Sequence, residues 1–295
     1  MLNKKTLGEK IFDSLNVALM CLLIIIMLFP FMNQIALSLS SNVAVLAGRV
    51  TIWPVDFSIE AYREVLSDVR FSRAFTNSVV YTILGLIMHV SMTALFAYPL
   101  SRKSLKGRNG IMNVIIFSMV FGTGGLIPNY LLIKGLGLVN SFWALWLPGM
   151  INLWQVIILK NFFQQIPESL HESAEIDGAR PIRIFVQIII PLSLPSIASI
   201  SLFSAVSLWN TFFNAMIYLN DKKMTLLQVH LREVLQNYAT PHSADTETRV
   251  INPNQIAADT IKAATLMCTT IPIVCIYPFL QKYFVKGVMV GAIKG

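Results

Sequence analysis

The stretches without charge constrain the fold of this chain more than anything else in it. Between consecutive charged residues lie uncharged runs at 14–48, 74–101, 109–133, 135–159, 184–220 and 263–281. A helix needs about 20 mostly apolar residues to cross the hydrocarbon core of a bilayer, so the runs predict six membrane spans. Composition agrees, because 55% of the residues are hydrophobic and only 13% charged, at a mean hydropathy of +0.64. That is too little charge to cover a water-soluble globule of this size. The expected fold is an all-α integral membrane domain over residues 1–295, with spans near 14–39, 74–99, 111–133, 141–163, 195–218 and 262–281.

The net charge of +8 reads as membrane topology. The basic residues are spread among loops and form no single face or stripe, so no nucleic-acid partner is expected. Lys4, Lys5 and Lys10 precede the first span, the segment SRKSLKGRNG follows the second, and Lys282, Lys286 and Lys294 follow the last. By the positive-inside tendency these segments and the 164–194 loop are cytoplasmic, and both termini with them. The inside then carries 13 Lys and Arg against six acids, the outside ten against nine. The first apolar run continues past Pro30 and reads as a retained span, not a cleaved leader. Cys21, Cys268 and Cys275 all fall within predicted spans, without metal-ligand spacing, and read as small packing residues.

Two stretches depart from plain helix. FGTGGLIP, inside the third span, weakens helical order with three glycines and Pro128. It either lines a pathway, where irregular backbone is tolerated at membrane depth, or marks a place where helices pack closely. The polar outer loop 219–260 is long enough to signal function or ordered structure.

The inside loop 164–194 holds the most informative pattern. Pro167 suits the first turn of a helix, Glu168, Glu172 and Glu175 sit near its positive end, and Gly178 can adopt the left-handed conformation that ends it. Leu170, Ala174 and Asp177 fall at spacings of four and three, predicting one side with small or apolar contacts and the glutamates elsewhere. Such a capped helix is either a docking knob or an ordinary solvated loop helix.

This loop resembles the cytoplasmic signature of ABC importer permeases, in which Glu-Ala-Ala is followed after three residues by Gly, and after nine more by Ile-x-Leu-Pro. The match is Glu172, Ser173 and Ala174, then Gly178, then Ile188, Ile190 and Pro191, with Ser173 and Ile190 as departures of similar size. Asp177 before the glycine and Ala179 after it resemble the carbohydrate branch, and KYFVKGVMVGAIKG resembles the tail of the smaller permease subunit of the maltose importer. The resemblance implies a type I importer permease that couples to ATPase subunits through Glu172, Ser173, Ala174, Asp177, Gly178 and Pro191. It further implies that the tail, with Lys294 and Gly295, reaches the ATPase interface. The implied partners are a second, related permease, two ATP-binding subunits that hold ATP and Mg, an extracytoplasmic solute-binding protein, membrane lipid and an oligosaccharide, one containing uronic acid among the candidates.

No GxxxxGK[ST] phosphate loop occurs in the sequence, so no cofactor is expected in this chain. In span five, Asn210 and Asn214 are four apart and predicted to share a helix face, beside Trp209. They either bond a neighbouring helix or line a polar passage; the resemblance favours the passage. Asn152 and Gln155 in span four and His89 in span two are the other polar groups at depth, and His89 reads as a packed, hydrogen-bonding residue. No span holds a central Asp or Glu, which counts against a carrier coupled to protons or sodium, and no nucleophile, base or metal cluster supports an enzyme.

Overall fold

A computed structural model describes residues 6–122, 124–237 and 257–292 of the chain, with side chains as far as residue 276. Among the described residues regular structure is helical, with one isolated bridge between Ser40 and Phe57. Two compact units are resolved by chain contacts, one of residues 1–71 and 231–270, the other of residues 72–230 and 271–295.

In the first unit the helix Leu7–Ser38 opens on a capping box. The Thr6 hydroxyl accepts from the Glu9 N–H, and the Thr6 N–H donates to the Glu9 carboxylate at 2.7 Å. None of its most apolar stretch is buried against protein, as befits a helix whose surroundings are lipid. The chain after it folds back through Ser40, whose hydroxyl donates to the Ala36 carbonyl at 2.6 Å and accepts from the Val55 N–H at 3.0 Å. Ser38 and Tyr62 share a 2.8 Å hydrogen bond. Asn33 donates to the Thr51 carbonyl at 2.7 Å, so the polar segment 40–62 is tied to the end of the span by specific bonds.

In the second unit two apolar cores are filled from several helices. Ala94, Ala97, Val156, Leu159, Phe163, Ile184 and Ile189 lie in one, and Tyr81, Ile133, Ala144, Leu145, Ala215 and Tyr218 in the other. Alanines at the contacts let helix backbones approach closely.

Among the described residues three helices are long and apolar enough to cross a membrane: Leu7–Ser38, Val69–Ser101 and Ala258–Ile276 within Ala258–Ala292. They coincide with expected spans one, two and six. The other three expected spans are interrupted, and the count among the described residues reaches five if the bent pairs Arg108–Phe121 with Leu126–Gly135 and Pro181–Leu192 with Leu194–Trp209 are each taken as one span. Span three is two helices, Arg108–Phe121 and Leu126–Gly135, parted at glycines with φ of +70°, +76° and +88°. Span four is divided into Trp143–Gly149 and Leu153–Phe163, where the Asn152 side chain caps the second helix by accepting from the Gln155 N–H at 3.1 Å. Span five stops at Trp209 and resumes as Phe213–Tyr218. Hydropathy cannot see these breaks, because an apolar run reads the same straight or divided.

The polar loop 219–260, expected to be an outer one, is ordered at its start. Asn77 donates to the carbonyls of Lys223 and Thr225, and the buried Ser78 hydroxyl accepts from the Leu227 N–H at 2.7 Å, before the helix Leu227–Asn237. Asn140 clamps the neighbouring turn in a left-handed conformation (φ 60°), its side-chain oxygen accepting from the N–H groups of Asn220 and Asp221. Asn140→Ala is expected to cost about 2 kcal/mol, roughly half from left-handed strain and half from the lost acceptor. Thermal unfolding in detergent should find Asn140→Gly milder, since glycine keeps the turn and loses only the bonds.

Candidate functional site

The loop helix runs Glu168–Ile176 and ends as the glycine spacing predicted. Gly178 has φ +77°, its N–H donates to the Glu175 carbonyl at 3.0 Å, and the Ala179 N–H donates to the Ala174 carbonyl at 2.9 Å. These two bonds make a Schellman cap, which fixes where the helix stops and how the chain leaves it. The chain continues through Pro181–Ile184 and a π-helical turn, Phe185–Ile189, to Pro191. A proline removes one backbone donor and crowds the preceding turn. The stretch Pro181–Leu192 then meets Leu194–Trp209 at 82°.

The seated face of the loop helix differs from the expected one. Leu170, Ala174 and Asp177 do not act together: Leu170 and Asp177 are exposed, while Ala174 turns inward with His171, three residues before it. The His171 ring stacks on Tyr98 at 5.9 Å, and Tyr98 in turn packs on Phe185 at 4.9 Å. Arg102 pairs with Glu175 at 3.6 Å and Lys103 with Glu168 at 3.8 Å, contacts that orient the helix while contributing little energy each. Outward face Glu172, Ser173, Ile176 and Asp177, and Ile176 is 86% exposed. The arrangement is a helix held to the membrane helices on one side and presenting a mixed polar and apolar surface on the other.

Burial, with the Arg102 charge beside it, lowers the His171 pKa from its ordinary 6.5, and its buried Nδ1 has no hydrogen-bond partner among the described residues. A histidine with a depressed folded pKa contributes fully above its unfolded value, and its contribution falls as pH drops below 6.5 toward the folded pKa. Hydrogen exchange of residues 168–178 should therefore quicken over that window. His171→Phe, which retains a ring against Tyr98, should flatten the response.

A second cluster lies where spans four and five are broken. His89 Nδ1 is 2.9 Å from the Gly149 carbonyl oxygen and Nε2 is 2.9 Å from Gln155 Oε1, to which the Ser204 hydroxyl also donates at 3.1 Å. A carbonyl only accepts, so Nδ1 carries a proton. Gln155 lines a cavity of about 220 Å³ together with His89, Tyr81, Asn152, Ser204, Ser207, Thr211 and Asn214.

Of the five residues expected to line a pathway, Asn152, Gln155 and Asn214 meet at this cavity, and two do not. Trp209 is buried edge-on against Phe75 at 6.0 Å. Asn210 accepts from Gln228 Nε2 at 3.2 Å. Asn210 and Asn214 do not share one helix face, because the helix ends at Trp209 and a new one starts at Phe213. His89 is a packed, hydrogen-bonded residue, as its setting suggested. Ser204 and Thr211 gave no signal in the sequence, since hydroxyl side chains are common in membrane helices and often bond their own backbone, as Thr211 also does with Ser207. Lys294 and Gly295 lie outside the described residues. Among the described residues no group of three or more His, Cys, Asp or Glu could hold a metal ion.

Comparison with known proteins now places the chain. It is 41% identical to Protein LplC of Bacillus subtilis over 98% of its length and 97% of the relative's. It is also 41% identical to the polygalacturonan/rhamnogalacturonan transport system permease protein YtcP of that organism, over 97% and 99% of the two chains. Among solved structures, a chain of a bacterial ABC transporter involved in the import of the acidic polysaccharide alginate superposes with a TM-score of 0.87 at 30% identity, covering 95% of this chain and 99% of that one. Residues 82–290 match the family model described as binding-protein-dependent transport system inner membrane component. With that match spanning both the loop helix and the broken spans, the chain belongs to the family of inner membrane components of binding-protein-dependent transport systems.

Proposed function

We propose that the chain is one half of a transmembrane pair, completed by a second related permease, that imports an oligosaccharide using ATP hydrolysed by two separate subunits. An extracytoplasmic binding protein delivers the sugar to the outer side, and both termini face the cytoplasm. The observation that carries this reading is the loop helix, capped at Gly178 and seated through His171 and Ala174, with a surface of Glu172, Ser173, Ile176 and Asp177 left outward. That surface suits a cleft in an ATPase subunit. The rigid exit through Pro191 into the 82° bend gives motion of the helix a direct route into span five. Binding of ATP then favours one arrangement of the spans, and by linkage the arrival of sugar outside favours closure inside.

The oligosaccharide class rests on likeness to YtcP, whose name gives polygalacturonan and rhamnogalacturonan as cargo, and to the alginate importer. Asn152, Gln155 and Asn214 form a stretch of the passage wall. The tail, with Lys294 and Gly295, reaches the ATPase interface, and ATP and Mg are held by the partners.

Reconstitution of the four-subunit complex in vesicles with its binding protein tests the reading. Sugar uptake should require ATP on the ATPase side, and hydrolysis should rise with the loaded binding protein. Uptake by this chain without any ATPase would make it a secondary carrier and end the proposal.

A further inference from the structure

The cavity at the two breaks holds more chemistry than a passage wall requires. Irregular backbone at membrane depth persists only where protein or a water-filled cavity satisfies its freed groups, and here two interruptions open on one space. Gly149 and Asn152 come from the first, Thr211 and Asn214 from the second. Its volume, about 220 Å³, is far above the roughly 10–15 Å³ that a single water needs. Among the described residues no Asp, Glu, Lys or Arg lines it, and beside His89 the one other titratable lining group is Tyr81.

The lining does supply groups that both donate and accept. Gln155 and Ser204 are buried, yet among the described residues the Gln155 amide spends only one end on protein, the end facing His89 Nε2 and the Ser204 hydroxyl. His89 is itself held by the Gly149 carbonyl, so the amide is positioned with its oxygen on His89 and Ser204. Leu145, Leu208 and Tyr81 supply apolar surface beside these polar groups. Such a mixture fits a pyranose, whose hydroxyls donate and accept while its C–H faces are apolar.

We propose that this cavity is a sugar subsite belonging to this chain itself, in which the Gln155 amide, positioned by His89 and Ser204, hydrogen-bonds the hydroxyls of one pyranose unit. The chain would then read its cargo as well as wall its path. The proposal rests on the reading of the protein as a carbohydrate importer.

The test is ATP-driven uptake by the complete importer in vesicles, with trigalacturonide and galactotriose as probes at saturating concentration. Rates are normalised to assembled complex by co-purification of the ATPase subunits. Gln155→Leu should lower uptake about tenfold, the equivalent of one lost hydrogen bond of about 1.4 kcal/mol, and Gln155→Glu should restore most of the galactotriose rate. Ser207→Phe fills the cavity from a side chain with no hydrogen bond among the described residues, and it should block both sugars even if Gln155→Leu fails to assemble. Blockage by Ser207→Phe with wild-type uptake in Gln155→Leu would reduce the cavity to a plain passage and overturn the subsite. Wild-type rates in both variants would overturn it as well. A wild-type complex that moves neither sugar with ATP would instead remove the importer reading on which the subsite stands.

Discussion

Gly178→Pro is expected to abolish sugar-stimulated ATP hydrolysis and uptake while leaving the membrane helices folded. Proline fixes φ near −65° and has no N–H, whereas this position needs φ +77° and donates to the Glu175 carbonyl. Both bonds of the cap depend on that conformation, so the helix end would be remade. A cost of about 3 kcal/mol or more amounts to a hundredfold or greater shift away from the seated form. Gly178→Ala is the control: an added Cβ would meet nothing within 4 Å, so it bears only the left-handed penalty of roughly 1–2 kcal/mol. It should therefore retain part of the activity. Hydrolysis, uptake and retention of the ATPase subunits, measured for both variants, decide the matter. Full coupling in Gly178→Pro would show that the loop has no part in energy transfer.

Gly85→Leu should produce the largest loss of stability among single substitutions in the membrane-embedded part. A Cβ at Gly85 would lie 2.7 Å from Trp146 Nε1, 3.0 Å from its Cδ1 and 3.3 Å from Leu208 Cδ1. The indole cannot easily yield. It stacks on Tyr81 with ring centroids 5.8 Å apart, meets Trp143 edge-on at 5.5 Å, and donates to the Tyr81 carbonyl at 3.3 Å. Overpacking of a tight contact costs about 1–3 kcal/mol per event, and a leucine adds three carbons beyond the Cβ. Thermal unfolding in detergent should place Gly85→Ala well below wild type and Gly85→Leu near failure to accumulate. Combining Gly85→Ala with Trp146→Leu should be less harmful than the sum of the two changes, because each relieves the other's misfit. Simple additivity would show that Trp146 does not press on Gly85.

Much of the protein was legible because its strongest signals are local. Uncharged runs marked the long apolar helices of expected spans one, two and six, since the cost of charge in hydrocarbon acts on each residue wherever its neighbours lie. Pro167 and Gly178 bounded the loop helix, since a missing N–H and a positive φ are properties of single residues. The glycines of FGTGGLIP marked a true interruption for the same reason. The seat of the loop helix was not legible. Ala174 is inward as part of a pair with His171, and that pairing depends on Tyr98 arriving from a helix some seventy residues away in sequence.

The sequence by itself determined that the chain is a helical membrane protein and that a glycine-capped helix lies in the 164–194 loop. These follow from residue chemistry and spacing along the chain. Only the tertiary structure decided that spans four and five break where they do, that Trp209 and Asn210 turn away from the cavity, and that His89, Gln155 and Ser204 form one network. Polar groups in a medium without water must find partners, and which partner each finds is set by helices brought together in space from positions far apart in the sequence.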